Sequence, residues 1–116
     1  MIIGIEKIDR CNSKVHTFVT WLAGEYHNLV ITSGYRSPID NAALPNSSKV
    51  SQHCLGLAVD ISVPEENIIQ VVARVLNICP NKPMGLGLDI YKNYAHFDFR
   101  EIGTAKWVYG KDGKEA

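Results

Sequence analysis

Residues 94–100 restrict the fold more than any other part of the sequence. Ala95, Phe97 and Phe99 alternate there with residues that carry polar or ionisable groups. A period of two places successive side chains on opposite faces of a β-strand. One face of this strand must therefore be buried in a core, while the opposite face carries a polar row. That row consists of Tyr94, His96, Asp98 and Arg100.

A second segment, residues 57–62, shows the same division into an apolar and a polar face. Its apolar residues alternate with Asp60, which places Asp60 on the polar side of a strand. His53 precedes this strand at the end of a long segment, residues 33–52, that is rich in Gly, Pro, Asn and Ser. Long loops inside compact domains are usually functional. We expect His53 and Asp60 to face away from the core.

The remaining pattern predicts two helices and two further strands. Apolar residues at helical spacing indicate a helix over residues 13–27, and a β-branched run indicates a strand over residues 29–32. Ser62 and Glu65 form a capping-box pattern for a second helix that ends near residue 79. Residues 85–91 and 94–100 predict a hairpin.

These elements predict one α+β domain over residues 1–116, with helices on a small, mostly antiparallel sheet. A two-residue hairpin turn would place Asp89 opposite His96 and Gly87 opposite Asp98. Gly85 and Gly87 would then leave room above the polar face.

The composition limits the kinds of partner that the chain is expected to bind. Lys plus Arg and Asp plus Glu both number 12, so no net charge attracts the chain to nucleic acid or to an anionic membrane. The N-terminal residues lack the pattern of a secretory signal, and no segment is long and apolar enough to span a membrane. We expect a monomer, made in the cytoplasm, that binds neither nucleic acid nor membrane. Cys11, Cys54 and Cys79 are expected to be reduced and mostly buried.

The polar faces supply a candidate metal site. His53, Asp60 and His96 offer two imidazoles and a carboxylate, a normal ligand set for zinc, which binds nitrogen at about 2.0–2.1 Å. Three protein ligands leave the fourth position for water, which is typical of catalytic rather than structural zinc. Taken alone, a single His near a strand is more often a hydrogen-bonded structural residue than a ligand, so the three residues are at this point a candidate site for one catalytic zinc ion.

Three motifs extend this prediction. They are Ser33-Gly34-Tyr35-Arg36-Ser37-Pro38, Ser51-x-His53-x-x-Gly56-x-Ala58-x-Asp60 and His96-x-Asp98. Together they resemble the zinc D-Ala-D-Ala carboxypeptidase and L-alanyl-D-glutamate endopeptidase family over about residues 31–100. The resemblance implies the fold shared by these peptidases and hedgehog domains, with zinc bound by His53, Asp60 and His96. It also implies hydrolysis of peptide bonds next to D-amino acids in bacterial peptidoglycan.

The resemblance also implies roles for other residues. Arg36 would hold a carboxylate or carbonyl of the stem peptide or cross-link, because a guanidinium can donate two parallel hydrogen bonds. Ser51 and Gln52 would line the loop that enters the site. The better-known members place an acidic residue three positions before the last ligand, where this chain has Asn93. Asp98, or else Asp89, would replace it as the acid/base, and either could instead orient a ligand imidazole.

Several alternatives stay open. The same scaffold occurs in hedgehog signalling domains, so a zinc-binding interaction domain with weak or absent catalysis competes with the peptidase. A hydrolase that uses Cys54 as its nucleophile would leave Asp60 and Arg36 unexplained. The peptidase could act as a carboxypeptidase or as an endolysin-like endopeptidase. It would reach the cell wall after release from the cytoplasm or as part of a phage particle.

Overall fold

The computed structural model describes residues 1–44 and 51–116, which form three α-helices, one short 3-10 helix (Ile5–Ile8) and six strands. The helices are α1 (Ser13–Glu25), α2 (Pro38–Ala43) and α3 (Ile68–Ile78). The strands are β1 (Ile2–Ile3), β2 (Leu29–Ser33), β3 (Ala58–Ser62), β4 (Gly85–Asp89), β5 (Tyr94–Asp98) and β6 (Ala105–Val108). None of the described helices is long and apolar enough to cross a membrane.

The six strands form one sheet in the order β1-β2-β3-β5-β4-β6. The three central pairings are antiparallel, whereas β1 pairs with β2 and β6 pairs with β4 in parallel. The α+β class is confirmed, but the prediction of a mostly antiparallel sheet is wrong, because the sheet is mixed. The two edge strands cause the difference, since both are too short to show a clear alternation in the sequence.

One face of the sheet packs against α1 and α3 and forms the core. The helices contribute apolar residues at helical spacing, and β2, β3 and β5 contribute their alternating apolar residues. Phe18 of α1 contacts the rings of Phe97 and Phe99, with centroids 4.9 and 5.5 Å apart. The polar residues of β3 and β5 therefore lie on the opposite face, away from both helices.

Helix α3 begins later than its capping-box pattern predicts. Asn67 is the N-cap, and its side-chain oxygen accepts a hydrogen bond from the backbone N–H of Ile69 at 2.8 Å. Ser62 remains in β3, where it pairs with Val30 of β2. Sheet pairing holds Ser62 in the extended conformation, so the predicted Ser62–Glu65 capping box is wrong.

The β4–β5 hairpin has a four-residue connection, residues 90–93, instead of two residues. One carboxylate oxygen of Asp89 accepts hydrogen bonds from the backbone N–H groups of Tyr91 and Lys92 at 3.0 and 2.8 Å. Asn93 completes the turn with a φ of 56°, a left-handed conformation that asparagine tolerates. Asp89 consequently pairs with Tyr94, so the predicted pairing of Asp89 with His96 is wrong. The shift is two residues, so each side chain keeps its predicted face.

Candidate metal centre

Three side chains converge above the polar face of the sheet. Asp60 of β3 and His96 of β5 are direct pairing partners, and His53 approaches them from the turn that precedes β3. Asp60 Oδ1 lies 3.1 Å from His53 Nε2 and 2.9 Å from His96 Nδ1, and the two nitrogens are 3.2 Å apart. Tetrahedral bonds of 2.0–2.1 Å would separate ligand atoms by about 3.3 Å. The three atoms therefore have the spacing of one face of a zinc tetrahedron.

The imidazole of His53 is held with one nitrogen free for a metal. Its Nδ1 lies 2.7 Å from the carbonyl oxygen of Gly34, which can only accept a hydrogen bond. The proton is therefore on Nδ1, and the Nε2 lone pair points toward Asp60 and His96. Gly34 itself packs closely against the backbone of Lys7, since a Cβ at position 34 would lie 2.0 Å from the Lys7 carbonyl oxygen.

The imidazole of His96 is held through Nε2, whereas that of His53 is held through Nδ1. His96 Nε2 lies 2.7 Å from Asp98 Oδ2, which leaves Nδ1 facing Asp60 and His53. Arg100 donates to both oxygens of Asp98, from Nε at 2.8 Å and from Nη2 at 2.7 Å. Burial raises the pKa of Asp98, but hydrogen bonds from Arg100 and His96 outweigh burial and hold this pKa well below its usual range. Asp98 is thus an ionised carboxylate that is hydrogen-bonded to His96 Nε2.

The electrostatics of the cluster favour a bound cation. Burial raises the pKa of Asp60, but the contacts of its carboxylate with the imidazoles of His53 and His96 outweigh burial, so the net pKa is well below the usual range. Burial lowers the pKa of His96, whereas Asp60 and Asp98 raise it, with a net value of about 9. Two carboxylates thus stabilise positive charge at His96, which a proton or a divalent metal ion can supply. Asp60 is the most accessible of the three side chains, 15 % exposed against 5 % for His53 and 9 % for His96.

Gly85 and Gly87 lie on the polar face, as predicted, but the room that they leave is filled. A Cβ at position 85 would lie 2.1 Å from Asp98 Oδ2, and one at position 87 would lie 2.6 Å from the indole of Trp107. The prediction of open space above these glycines is therefore wrong. The two glycines accommodate Asp98 and Trp107 instead.

Arg36 lies beside the loop that carries His53. Its Nη1 donates to Asn41 Oδ1 at 2.9 Å and its Nη2 donates to Ser33 Oγ at 3.0 Å. Its backbone N–H donates to the carbonyl oxygen of His53 at 3.2 Å. Among residues 1–44 and 51–116, no carboxylate forms an ion pair with Arg36. Neutral hydrogen-bond partners therefore hold the guanidinium of Arg36 in place.

Ser51 and Gln52 begin the turn that carries His53. Ser51 is buried, and its hydroxyl accepts a hydrogen bond from the backbone N–H of His53 at 3.2 Å. Gln52 lines a cleft of about 310 Å³ next to Leu57 and Arg100. In the described part of the chain, its buried Oε1 has no hydrogen-bond partner. Ser51 therefore holds the backbone of His53, and Gln52 Oε1 is an acceptor without a partner among the described residues.

Asp89 and Asn93 lie at the hairpin turn. Asp89 is fully buried, and its Oδ2 has no hydrogen-bond partner within the described ranges. Asn93 caps the start of α3, since its Oδ1 accepts from the backbone N–H of Ile68 at 2.9 Å and its Nδ2 donates to the carbonyl oxygen of Glu66 at 3.0 Å. The position where the related peptidases have an acidic residue thus holds a helix in place here.

Two aromatic side chains that follow β5 in sequence also lie beside the centre. The ring of Trp107 is 5.0 Å from that of His96, and Tyr109 stacks on Tyr94 with centroids 5.8 Å apart. The sequence signal for them was the two-residue spacing of Trp107 and Tyr109, which is typical of one strand face. The three cysteines are free as predicted, although only Cys79 is fully buried, so the expectation that most are buried is wrong.

The comparison with known families agrees with this geometry. A model of the peptidase M15 family matches residues 4–98, which include the three convergent side chains and Arg36. No curated protein and no solved structure matches the chain. The match covers well over half of the sequence, and the described residues contain the His53, Asp60 and His96 cluster that could hold a metal ion. The chain therefore belongs to the peptidase M15 family.

Proposed function

We propose that the protein is a zinc peptidase that hydrolyses peptide bonds next to D-amino acids in bacterial peptidoglycan. The observation that carries this proposal is the convergence of His53 Nε2, Asp60 Oδ1 and His96 Nδ1 at 2.9–3.2 Å from one another. Membership of the peptidase M15 family supports both the metal and the reaction class. One zinc ion per chain is the cofactor that this donor set fits.

Zinc, when bound, polarises the scissile carbonyl and lowers the pKa of the attacking water. Hydrolysis adds hydroxyl to the carbonyl carbon, breaks the C–N bond and transfers a proton to the leaving amine. His53, Asp60 and His96 would hold the metal, and the greater exposure of Asp60 marks the side from which substrate would approach.

Arg36 is the group we propose for binding a substrate carboxylate. Neutral partners hold its guanidinium, so its positive charge is not compensated by an acidic side chain among the described ion pairs. A guanidinium can donate two parallel hydrogen bonds to a carboxylate, such as the one that ends a stem peptide. We propose Gln52 as a second substrate contact through its unused Oε1, and Ser51 as support for the loop that carries His53.

The two candidate acid/base carboxylates have different surroundings. Both oxygens of Asp98 accept hydrogen bonds from His96 or Arg100, so we propose that Asp98 orients His96. Asp89 keeps one oxygen without a partner in the described residues, so we propose Asp89 for proton transfer through a water molecule. Asp89→Asn should then lower kcat without weakening zinc binding, whereas Asp98→Asn should weaken zinc binding itself.

The substrate would be the stem peptide or the cross-link, cut either as a terminal D-Ala-D-Ala bond or as an internal bond. We propose that the protein acts as a monomer and reaches the wall after release from the cytoplasm or from a phage particle. A closed end beyond Arg36 would favour carboxypeptidase action, since only a chain terminus could then bind.

The test is digestion of purified peptidoglycan by the zinc-loaded protein, with the products identified by mass. We expect new peptide termini from the wild type, and none after metal removal or from His96→Ala. The mass of the released fragment distinguishes loss of one terminal D-Ala from cleavage inside the cross-link. Intact peptidoglycan despite one bound zinc per chain would refute the peptidase.

A second function, zinc-dependent interaction without efficient catalysis, is favoured by one observation. Asn93 occupies the position of the acidic residue in related peptidases, and its hydrogen bonds to Ile68 and Glu66 commit it to capping α3. This alternative predicts that Asn93→Asp creates no peptidase activity and destabilises the start of α3, while the zinc affinity stays unchanged.

A further inference from the structure

We infer that Trp107, packed over Gly87, is a positioning residue that holds the imidazole of His96 in its metal-binding orientation. The inference rests on the proposed zinc centre and adds to it a residue of β6, outside the region that the family model matches. Trp107 is not itself a ligand. Its effect would therefore appear first in metal affinity.

The sheet register places Trp107, Gly87 and His96 side by side on three adjacent strands. Gly87 of β4 pairs with His96 of β5 on one side and with Trp107 of β6 on the other. The backbones of strands two places apart are separated by about 10 Å, so a side chain on the middle strand would normally stand between the outer two. Because residue 87 is glycine, the indole reaches across, and its ring lies 5.0 Å from the His96 ring.

The indole occupies the space over Gly87 where a side chain would otherwise be. A Cβ at position 87 would lie 2.6 Å from Trp107 Cε2 and Nε1 and 2.9 Å from Cζ2. Those three atoms are the nearest neighbours that a side chain at position 87 would meet. An added methyl group therefore acts mainly by displacing the indole.

The indole also contacts Arg100, one of the two residues that hold His96 from its other side. The guanidinium carbon of Arg100 lies 5.8 Å from the centre of the Trp107 ring. Arg100 donates to Asp98, and Asp98 in turn is bonded to His96 Nε2. The contacts thus form a closed ring, Trp107–Arg100–Asp98–His96–Trp107, so the indole and the carboxylate flank the imidazole on two sides.

Core packing does not account for this arrangement. Trp107 is half-buried on the face of the sheet opposite to α1 and α3, and it is not part of the described hydrophobic core. Its described ring contacts are with His96, Tyr109 and Arg100, which are all on the polar side. The Trp107 side chain therefore contacts the residues around the proposed metal centre and not the described hydrophobic core.

The test compares zinc dissociation constants of the intact chain and of Gly87→Ala, Trp107→Ala and the double variant. Residues that orient a metal ligand typically change affinity 10- to 100-fold. We expect each single variant to weaken zinc about 10-fold and the double variant to be no weaker than either, since both changes act through the indole. Trp107→Phe should recover much of the affinity, and the visible spectrum of the Co²⁺-loaded singles should differ from that of the wild type.

The chain offers matched controls for both substitutions. Gly24 of α1 has open space where a Cβ would be added, and Trp21 of α1 packs against the core on the other face. Gly24→Ala and Trp21→Phe should leave zinc affinity unchanged. Wild-type affinity in both Gly87→Ala and Trp107→Ala, or an additive loss in the double variant, would overturn the inference.

The failure of the inference can be told apart from failure of the zinc centre. If the unaltered protein binds no zinc, the proposed function is wrong. If it binds zinc and the variants bind it equally well, only the role of Trp107 is wrong. Should Gly87→Ala fail to fold, Trp107→Phe and Trp107→Ala decide the question, since neither introduces a steric clash.

Discussion

Replacing Asp98 by asparagine tests our proposal that a hydrogen bond to Asp98 orients His96 as a metal ligand. The side chain of Asp98 is fully buried and accepts from His96 at 2.7 Å and from Arg100 at 2.8 and 2.7 Å. An asparagine has only one accepting oxygen. If that oxygen faces Arg100, the amide N–H faces His96 Nε2 and favours the proton on Nδ1, the atom that should bind zinc. If the amide is reversed, its N–H opposes the guanidinium.

Because each Asp98 oxygen accepts from a charged group, either orientation of the amide loses at least one such hydrogen bond, which contributes about 1.5–3 kcal/mol. Each 1.4 kcal/mol corresponds to a factor of ten, so the zinc dissociation constant should rise about 10- to 100-fold. Competition with a chromophoric chelator near neutral pH measures this constant. Asp112→Asn is the matched control, because Asp112 is exposed and its Oδ1 accepts from the backbone of Lys114, as an amide oxygen also could. Wild-type zinc affinity in a folded Asp98→Asn variant would refute the reasoning.

Three further predictions address the substrate site, the core and the class of nucleophile. Arg36→Lys should lower kcat/KM on a stem peptide about 10-fold, because an ammonium cannot donate two parallel hydrogen bonds; unchanged steady-state kinetics would contradict this role. Phe97→Ala should lower the free energy of unfolding by about 3–5 kcal/mol, because the ring is fully buried against Phe18; chemical denaturation measures the loss, and a change below 1 kcal/mol would be inconsistent with the packing. EDTA should abolish hydrolysis while Cys54→Ser leaves it intact; the reverse result would establish a thiol nucleophile instead.

The buried framework was predictable because its signals are local. Strict alternation placed Asp60 and His96 on the polar faces of strands, and helical spacing located α1 to within two residues at its end. The motifs then indicated that His53 joins those two residues. The structure brings all three together because Asp60 and His96 pair directly across β3 and β5.

The errors came from interactions that only the assembled sheet creates. Pairing with β2 keeps Ser62 in β3, so the capping-box pattern of Ser62 and Glu65 does not begin the helix. The carboxylate of Asp89 accepts hydrogen bonds from the turn and lengthens the hairpin connection; Lys92-Asn93 is not a favoured two-residue turn pair, but the pair alone did not indicate the longer turn. The edge strand β6 pairs in parallel with β4, a long-range contact that the short spacing of Trp107 and Tyr109 did not reveal.

The contacts of the polar face were also not predictable from local sequence, because they join residues that are distant along the chain. Gly85 and Gly87 were noticed as a gap, but nothing in the sequence stated that Asp98 and Trp107 fill it. Likewise, Asn93 was noticed as a departure from the related peptidases, while its use as a cap for α3 required the position of Ile68. Residues 45–50 of the predicted long loop lie outside the described residues.

The central claim is that one zinc ion, held by His53, Asp60 and His96, catalyses peptide hydrolysis in peptidoglycan. Its most direct test is stepwise addition of zinc to the metal-free protein in the presence of purified peptidoglycan, with new peptide termini counted at each step. The account predicts no cleavage without metal, a linear rise in cleavage rate and a sharp plateau at one zinc per chain. Cleavage by the metal-free protein, or no cleavage at any zinc level in a protein that binds the ion, would contradict it.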